Sequence, residues 1–176
     1  MLFRKARKAD LPAVAAIYEK LLDEQDAGHN FIGWQRGVYP TIDTARSALA
    51  ADDLYVLELP DGLVAAAARI NQEQVDGYAH ARWEQKAPEA QVLVLHTLVV
   101  DPACSGQGLG TAFVGFYEQL ARERGCPCLR MDTNERNLAA RALYKKLGYR
   151  EADVVPCTFN GIDGVRLVCL EKTLSL

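Results

Sequence analysis

Long apolar runs are missing from this 176-residue chain, and none approaches the ~18–20 residues that a membrane span requires. The opening stretch, MLFRKARKAD, is charged throughout and leads into no apolar segment, so no secretory signal is expected. Neither sign of charge dominates. Twenty Lys and Arg stand against 23 Asp and Glu, giving a net charge of −3 and a pI near 5.6. That balance offers nucleic acid and anionic lipid nothing to hold, and neither partner is expected. A mild acidic excess suits a cationic amine, but it is also the ordinary condition of a cytoplasmic protein. Only three histidines are present, and the five cysteines include no CxxC pair. Cys126-Pro127-Cys128 is too tight for zinc-finger spacing and lacks a second ligand pair downstream, so no metal is expected. Cys104, Cys126, Cys128, Cys157 and Cys169 are therefore read as reduced thiols of a cytoplasmic protein. Repeats, low-complexity tracts and linkers are also lacking. Residues 1–176 read as one domain, and a homodimer is open to it as to many soluble proteins.

What is present alternates between two periods. A short strand over residues 2–6 precedes a helix that Asp10 is placed to cap. Val14, Ile17, Tyr18, Leu21 and Leu22 form that helix's apolar face. A looser stretch, 26–39, carries Gly28, Gly33 and Gly37 with three aromatics, and a short helix follows from about 41 to 51. Residues 54–59 and 63–70 read as strands joined at Asp61-Gly62. Residues 71–90 show no period and read as a loop. Residues 91–100 are almost continuously apolar and β-branched, as in a strand covered on both faces. From Gly108 the period turns helical until Gly125, and 126–132 reads as another strand. Asn134 is placed to cap a helix with Leu138, Ala142, Leu143 and Leu147 on its inner face. Strands over 149–159 and 165–171 then flank Asn160-Gly161, a second hairpin signal.

The chemistry lies where the buried strand ends at Asp101-Pro102 and a helix starts within Ser105-Gly106-Gln107-Gly108-Leu109-Gly110-Thr111. Amide groups at a helix start lack intrahelical acceptors, and the helix dipole adds partial positive charge there. Glycines at 106, 108 and 110 let a phosphate approach the backbone, and Thr111 adds a hydroxyl. The same glycines could serve the turn alone. A Walker-type loop is excluded because no lysine follows Gly110. A dinucleotide fingerprint has its acid at Asp132, but its third glycine falls one position early and Thr111 stands in that place.

A third reading fits more residues. The stretch Leu98 to Pro102 followed by Ser105-Gly106-Gln107-Gly108-Leu109-Gly110 resembles the acetyl-CoA motif Q/R-x-x-G-x-G/A of the GNAT superfamily. Asn137-Leu138-Ala139-Ala140-Arg141-Ala142-Leu143-Tyr144-Lys145-Lys146-Leu147-Gly148-Tyr149 resembles its second motif, N-x-x-A-x-x-x-Y-x-x-x-G-F/Y. The first motif position is Ser105 instead of Gln or Arg. The resemblance implies an α/β GNAT fold, a mixed central sheet of about six or seven strands flanked by about four helices, with a splayed central parallel pair. It further implies an N-acetyltransferase that takes acetyl-CoA as cosubstrate and a primary amine, read here as a small molecule, in a ternary complex.

Carried over by residue, the amides of Gly106, Gln107, Gly108, Leu109, Gly110 and Thr111 hold the CoA pyrophosphate. The main chain of Leu98 and Val100 pairs with the pantetheine arm. Asn137 either lies near that arm or caps its helix locally. Tyr144 matches the family's general acid, although a packing role is open to it. The glutamate that many members use as base aligns with Val94. His96, two residues on and hence on the same face, is the candidate that remains. Trp34, Tyr39, Tyr78 and Trp83, all in irregular segments, are the acceptor-site candidates, with Phe159 near the last hairpin. The missing strand glutamate keeps a non-catalytic acyl-CoA-binding module in view, and a dinucleotide-binding oxidoreductase module is the remaining alternative.

Overall fold

The computed structural model describes residues 1–175. Strands β1 (Leu2–Lys5), β2 (Leu54–Glu58), β3 (Val64–Asn71), β4 (Val92–Val100), β5 (Cys128–Asn134), β6 (Arg150–Phe159) and β7 (Ile162–Thr173) form one sheet. Its order is β1-β2-β3-β4-β5-β7-β6. Every neighbouring pair is antiparallel except β4 and β5. Helices α1 (Leu11–Asp26) and α2 (Ile42–Ala50) connect β1 to β2. Helix α3 (Leu109–Glu123) crosses from β4 to β5, and α4 (Leu138–Lys146) leads from β5 to β6. The mixed seven-stranded sheet, the four α-helices and the parallel central pair match the expected fold. No helix among the described residues is long and apolar enough to cross a membrane.

Strand alternation divides the core into two layers. Leu93, Leu95, Leu129 and Met131 face α3 and α4, where they meet Phe113, Val114, Tyr117 and Tyr144. On the other face, Val56, Ala67 and Val99 pack against Val14, Ile17 and Ala45 of α1 and α2. Beside them, Val92, Val94, Cys128 and Leu167 pack under Tyr78 from the segment 71–91. Phe113 is fully buried and sits edge-on to Phe3 and Phe116, with centroids 5.6 and 6.0 Å away. Phe113→Ala should therefore cost about 3–5 kcal/mol, through lost transfer energy plus the cavity left behind. A lowered urea midpoint at unchanged slope is the expected reading.

Two local expectations are corrected. Asp10 stands at the start of α1, but its carboxylate makes no cap bond there. It accepts instead from Arg4 at 2.6 and 2.9 Å and from the Arg7 amide at 2.6 Å. A paired guanidinium outcompetes a neutral amide for a nearly buried carboxylate. The cap of α4 is Asn137, not Asn134: Asn137 Oδ1 accepts from the Ala140 amide at 3.2 Å. The inner face of α4 differs as well. Leu138 is 69% exposed and Ala142 is also exposed, while Ala140, Leu143, Tyr144 and Leu147 face the core.

Candidate active site

The β4–β5 ladder runs from Val92 opposite Cys128 to Leu95 opposite Met131 and stops there. Beyond it, β4 continues to Val100 and β5 to Asn134 without pairing to each other. A bulge causes the divergence. Ala67 pairs with Val99 but Arg69 pairs with His96, so β4 carries one extra residue. The bulge sets Thr97 at φ 52, a left-handed conformation that a β-branched residue adopts only under strain. Strain of this kind, about 1–3 kcal/mol, gathers at functional sites. It also places His96 and Thr97 together on the wall of one cavity.

Past the bulge, the Asp101 amide donates to the Ala65 carbonyl on the β3 side at 2.8 Å. Ladder bonds alternate along a strand, so Val99 also turns its main chain toward β3. Leu98 and Val100 turn theirs toward β5, into the gap. The strand then ends at Asp101. Its carboxylate accepts from the Ala103 amide at 2.9 Å and from Lys20 Nζ at 2.6 Å, which fixes the turn into α3.

Gly106 and Gly108 have φ of +76 and +74, and a Cβ added at either would meet nothing within 4 Å. The first main-chain bond of α3 runs from Ala112 to Gly108 at 3.0 Å. Among the described residues, no acceptor takes a hydrogen bond from the amides of 106–111. Six consecutive free donors thus open at the positive end of a 15-residue helix, with room in front of them. Gly110 serves packing as well. A Cβ there would come within 3.3 Å of Leu143 on α4.

Beside the gap lies a cavity of about 780 Å³. Tyr144 belongs to the layer of α3 and α4 and still borders this cavity, because the parted strands leave it a way through. Its hydroxyl has no hydrogen-bond partner among the described residues, and burial pushes its pKa above the ordinary phenol value. Asn137 is nearly buried, borders the same space and uses its Oδ1 as the α4 cap.

His96 is less available than the sequence suggests. Its Nε2 lies 2.9 Å from Asn71 Oδ1, and the Asn71 amide donates in turn to Asp53 at 2.8 Å. That chain orients the amide oxygen toward the ring, so Nε2 is the protonated nitrogen. Burial, reinforced by the charge of Arg69, lowers the imidazole to about 4. His96 is accordingly neutral at pH 7 and a weak proton acceptor.

The aromatic candidates separate. Trp34, Tyr39 and Phe159 line the cavity. Tyr39 also bonds through its hydroxyl to Thr97 and stands edge-on to Trp34 at 6.0 Å. Tyr78 and Trp83 do not line it, which corrects their expected place. Tyr78 is buried in the layer beneath, and the Trp83 indole donates to the Tyr78 carbonyl at 2.8 Å. Arg130 covers the Trp83 ring at 4.1 Å. The apparently irregular segment is a packed layer, and it takes its aromatics inward.

Gln25 of α1 fastens the segment 27–41 over the cavity. Its Oε1 accepts from the amides of Ile32 and Gly33 at 3.0 and 2.7 Å, and its Nε2 donates to the Trp34 carbonyl at 2.8 Å. Gly33 is required there. Its φ is +83, and a Cβ would collide with the Asn134 side chain.

One cavity residue escaped the sequence reading of the catalytic groups. Asp132 follows the last residue of β5 that pairs with β4 and lines the cavity, its Oδ2 accepting from the Tyr78 hydroxyl at 2.8 Å. Burial pushes its carboxyl up to about 6, with the Tyr78 hydrogen bond pulling the other way. The signal was an acid at the point where β5 turns from apolar to polar, with Cys128, Leu129 and Met131 before it and Thr133 and Asn134 after it.

Comparison with known proteins agrees with this geometry. The chain is 32% identical over 73 residues to an uncharacterized N-acetyltransferase of Methanocaldococcus jannaschii, a match covering 42% of this chain and 32% of that protein. It is 29% identical over 104 residues to a mycothiol acetyltransferase of Beutenbergia cavernae, covering 59% and 35% respectively. The matched segments thus span about a third of those relatives' lengths. A GNAT family acetyltransferase structure from Streptococcus agalactiae superposes with a TM-score of 0.81 at 22% identity, covering 99% of this chain and 96% of that one. The model of the Acetyltransferase (GNAT) family matches residues 16–149, more than half of the sequence, and the chain belongs to that family.

Proposed function

We propose that this protein transfers the acetyl group of acetyl-CoA to the primary amine of a small molecule, by direct attack within a ternary complex. The observation that carries the reading is the run of six unpartnered amides at 106–111, opening beside the gap between β4 and β5. A pyrophosphate satisfies such donors, and the free main-chain groups of Leu98 and Val100 suit an amide-bearing arm laid along the gap. Asn137 keeps an amide nitrogen for that arm while its oxygen caps α4. Acetyl-CoA supplies the activated thioester, and the protein's residues do the remaining work.

Tyr144 gives a proton to the departing sulfur in this reading, supported by its place on the cavity wall. Its raised pKa keeps the phenol protonated across the physiological range. The oxyanion formed on attack falls to a main-chain amide of β4, where the bulge has broken the ladder. Trp34, Tyr39 and Phe159 supply apolar walls for the acceptor. The fastened segment 27–41 walls part of the space with Ile32, Trp34 and Tyr39, which favours a small molecule over a protein tail.

Calorimetric titration with acetyl-CoA, with NADH as control, tests the cosubstrate. Thiol release with spermidine, phenethylamine and a peptide beginning with alanine then sorts the acceptor classes. Saturable binding of acetyl-CoA alone and turnover of a small amine support the reading. Binding of NADH alone overturns it, and turnover of the peptide alone overturns the small-molecule assignment.

The fastening of residues 27–41 makes a separate prediction. Gln25→Ala removes both the acceptor for the amides of Ile32, Gly33 and Trp34 and the donor to the Trp34 carbonyl. It should raise KM for the amine about tenfold, the equivalent of one good hydrogen-bonded constraint. The dissociation constant for acetyl-CoA should stay within twofold, because the Gln25 side chain bonds only to residues 32–34.

A further inference from the structure

Asp132 is a carboxylate on a cavity wall with no cation against it. No ion pair joins it to any Lys, Arg or His among the described residues. The titratable groups that sense its charge come from every element around it. They are Tyr39 of the segment 27–41, Tyr78 of the segment 71–91, Tyr144 of α4, Cys157 of β6 and Cys169 of β7. Burial raises the pKa of each, so all five are neutral at pH 7 and none compensates the carboxylate. Arg69, a cation on the same cavity, is engaged by Asp53 at 3.4 Å and by Glu73. A carboxyl near 6 is ionised at pH 7, close enough to that pH to accept and release a proton readily. His96, held by Asn71 and lowered to about 4, competes poorly.

We propose that Asp132 anchors the ammonium group of the acceptor in the cavity and takes the proton that must leave before the nitrogen can attack. The assignment rests on the acetyltransferase reading above. The ammonium gives one proton to the Asp132 carboxylate, and the freed lone pair forms the C–N bond to the thioester carbonyl carbon. The C–S bond breaks with its electron pair on sulfur, which receives the Tyr144 proton. The second nitrogen proton leaves through solvent and restores Tyr144, and Asp132 releases its own proton to solvent. The sum is ammonium plus thioester giving amide, thiol and one proton. Tyr78 is a positioning residue, holding the carboxylate by one hydrogen bond from below the cavity.

The test measures thiol release with spermidine, phenethylamine and the alanine-led peptide between pH 5 and 9, alongside calorimetry with acetyl-CoA. Asp132→Asn should lower kcat/KM about a hundredfold with acetyl-CoA affinity within twofold. Wild-type kcat/KM should fall on the acid side through pH about 6. Tyr78→Phe removes the bond that favours the ionised form, so its acid limb should move to higher pH; a purely structural loss would lower the profile without moving the limb.

Melting temperature gives a readout that needs no acceptor. The folded pKa lies above the ordinary 3.8, so this group's contribution to stability is present below that value and lost as pH rises through about 6. Asparagine never ionises. Asp132→Asn should therefore melt a few degrees above wild type at pH 8 and level with it at pH 4. Activity of Asp132→Asn within threefold of wild type overturns the assignment, as does an unmoved acid limb in Tyr78→Phe or no turnover of any of the three amines by wild type that binds acetyl-CoA. Wild type that fails to bind acetyl-CoA overturns the acetyltransferase reading itself.

Discussion

Gly108→Val is expected to abolish acetyl-CoA binding, raising the dissociation constant at least a thousandfold, while the protein stays folded. Two features set the size of the effect. Gly108 has φ +74, where a β-branched side chain is a steric outlier, so the valine backbone must leave the left-handed region. That movement turns the 106–111 amides away from one another, and convergence is what lets them hold a single anion. The fold should survive because a Cβ at 108 meets nothing within 4 Å and the loop lies outside the core. Circular dichroism and a melting curve check the fold, and calorimetry reads the binding. Gly108→Ala, with the same strain and less bulk, should fall between the two. Normal affinity in a folded Gly108→Val protein would move the cosubstrate cradle elsewhere.

The legibility of this chain follows the range of the forces involved. Elements specified by near neighbours could be read directly, such as the Asp61-Gly62 hairpin, the apolar period of α3 and the buried run of β4. The two motif segments also carried the fold, because glycine spacing and helix period are local properties. Reading failed where a distant residue decides. Asp10 stands at its cap position but gives its carboxylate to Arg4 of β1, and the buried face of α4 is set by the sheet and α3 it packs against. Tyr78 and Trp83 looked like loop aromatics until the segment 71–91 packed against β4, β5 and β7. The bulge at Thr97 carries no glycine to announce it. The proton affinities of His96 and Asp132 are set first by burial and then by Arg69 and Tyr78 respectively, both distant in sequence from the groups they affect. Spacing alone could place both groups on the sheet without ranking them as bases.

Tyr144→Phe should lower kcat about a thousandfold while leaving acetyl-CoA affinity within twofold, the separation expected of a group that acts only as the sulfur departs. The ring itself is needed for packing. It is nearly buried and stands 6.2 Å from the Tyr149 ring, and phenylalanine preserves both features. The hydroxyl has no partner among the described residues, so its removal leaves no protein group unsatisfied and stability should change by less than about 1 kcal/mol. The loss in rate therefore cannot be charged to unfolding. Burial and the nearby Asp132 charge both raise the phenol, so wild-type turnover should show no basic limb from Tyr144 below pH 10. A better leaving group supplies the second arm. Acetyl transfer from an aryl thioester, whose thiolate leaves without a proton, should be slowed far less by Tyr144→Phe than transfer from acetyl-CoA. Equal slowing with both donors would return Tyr144 to packing, and preferential rescue would assign its hydroxyl to the sulfur.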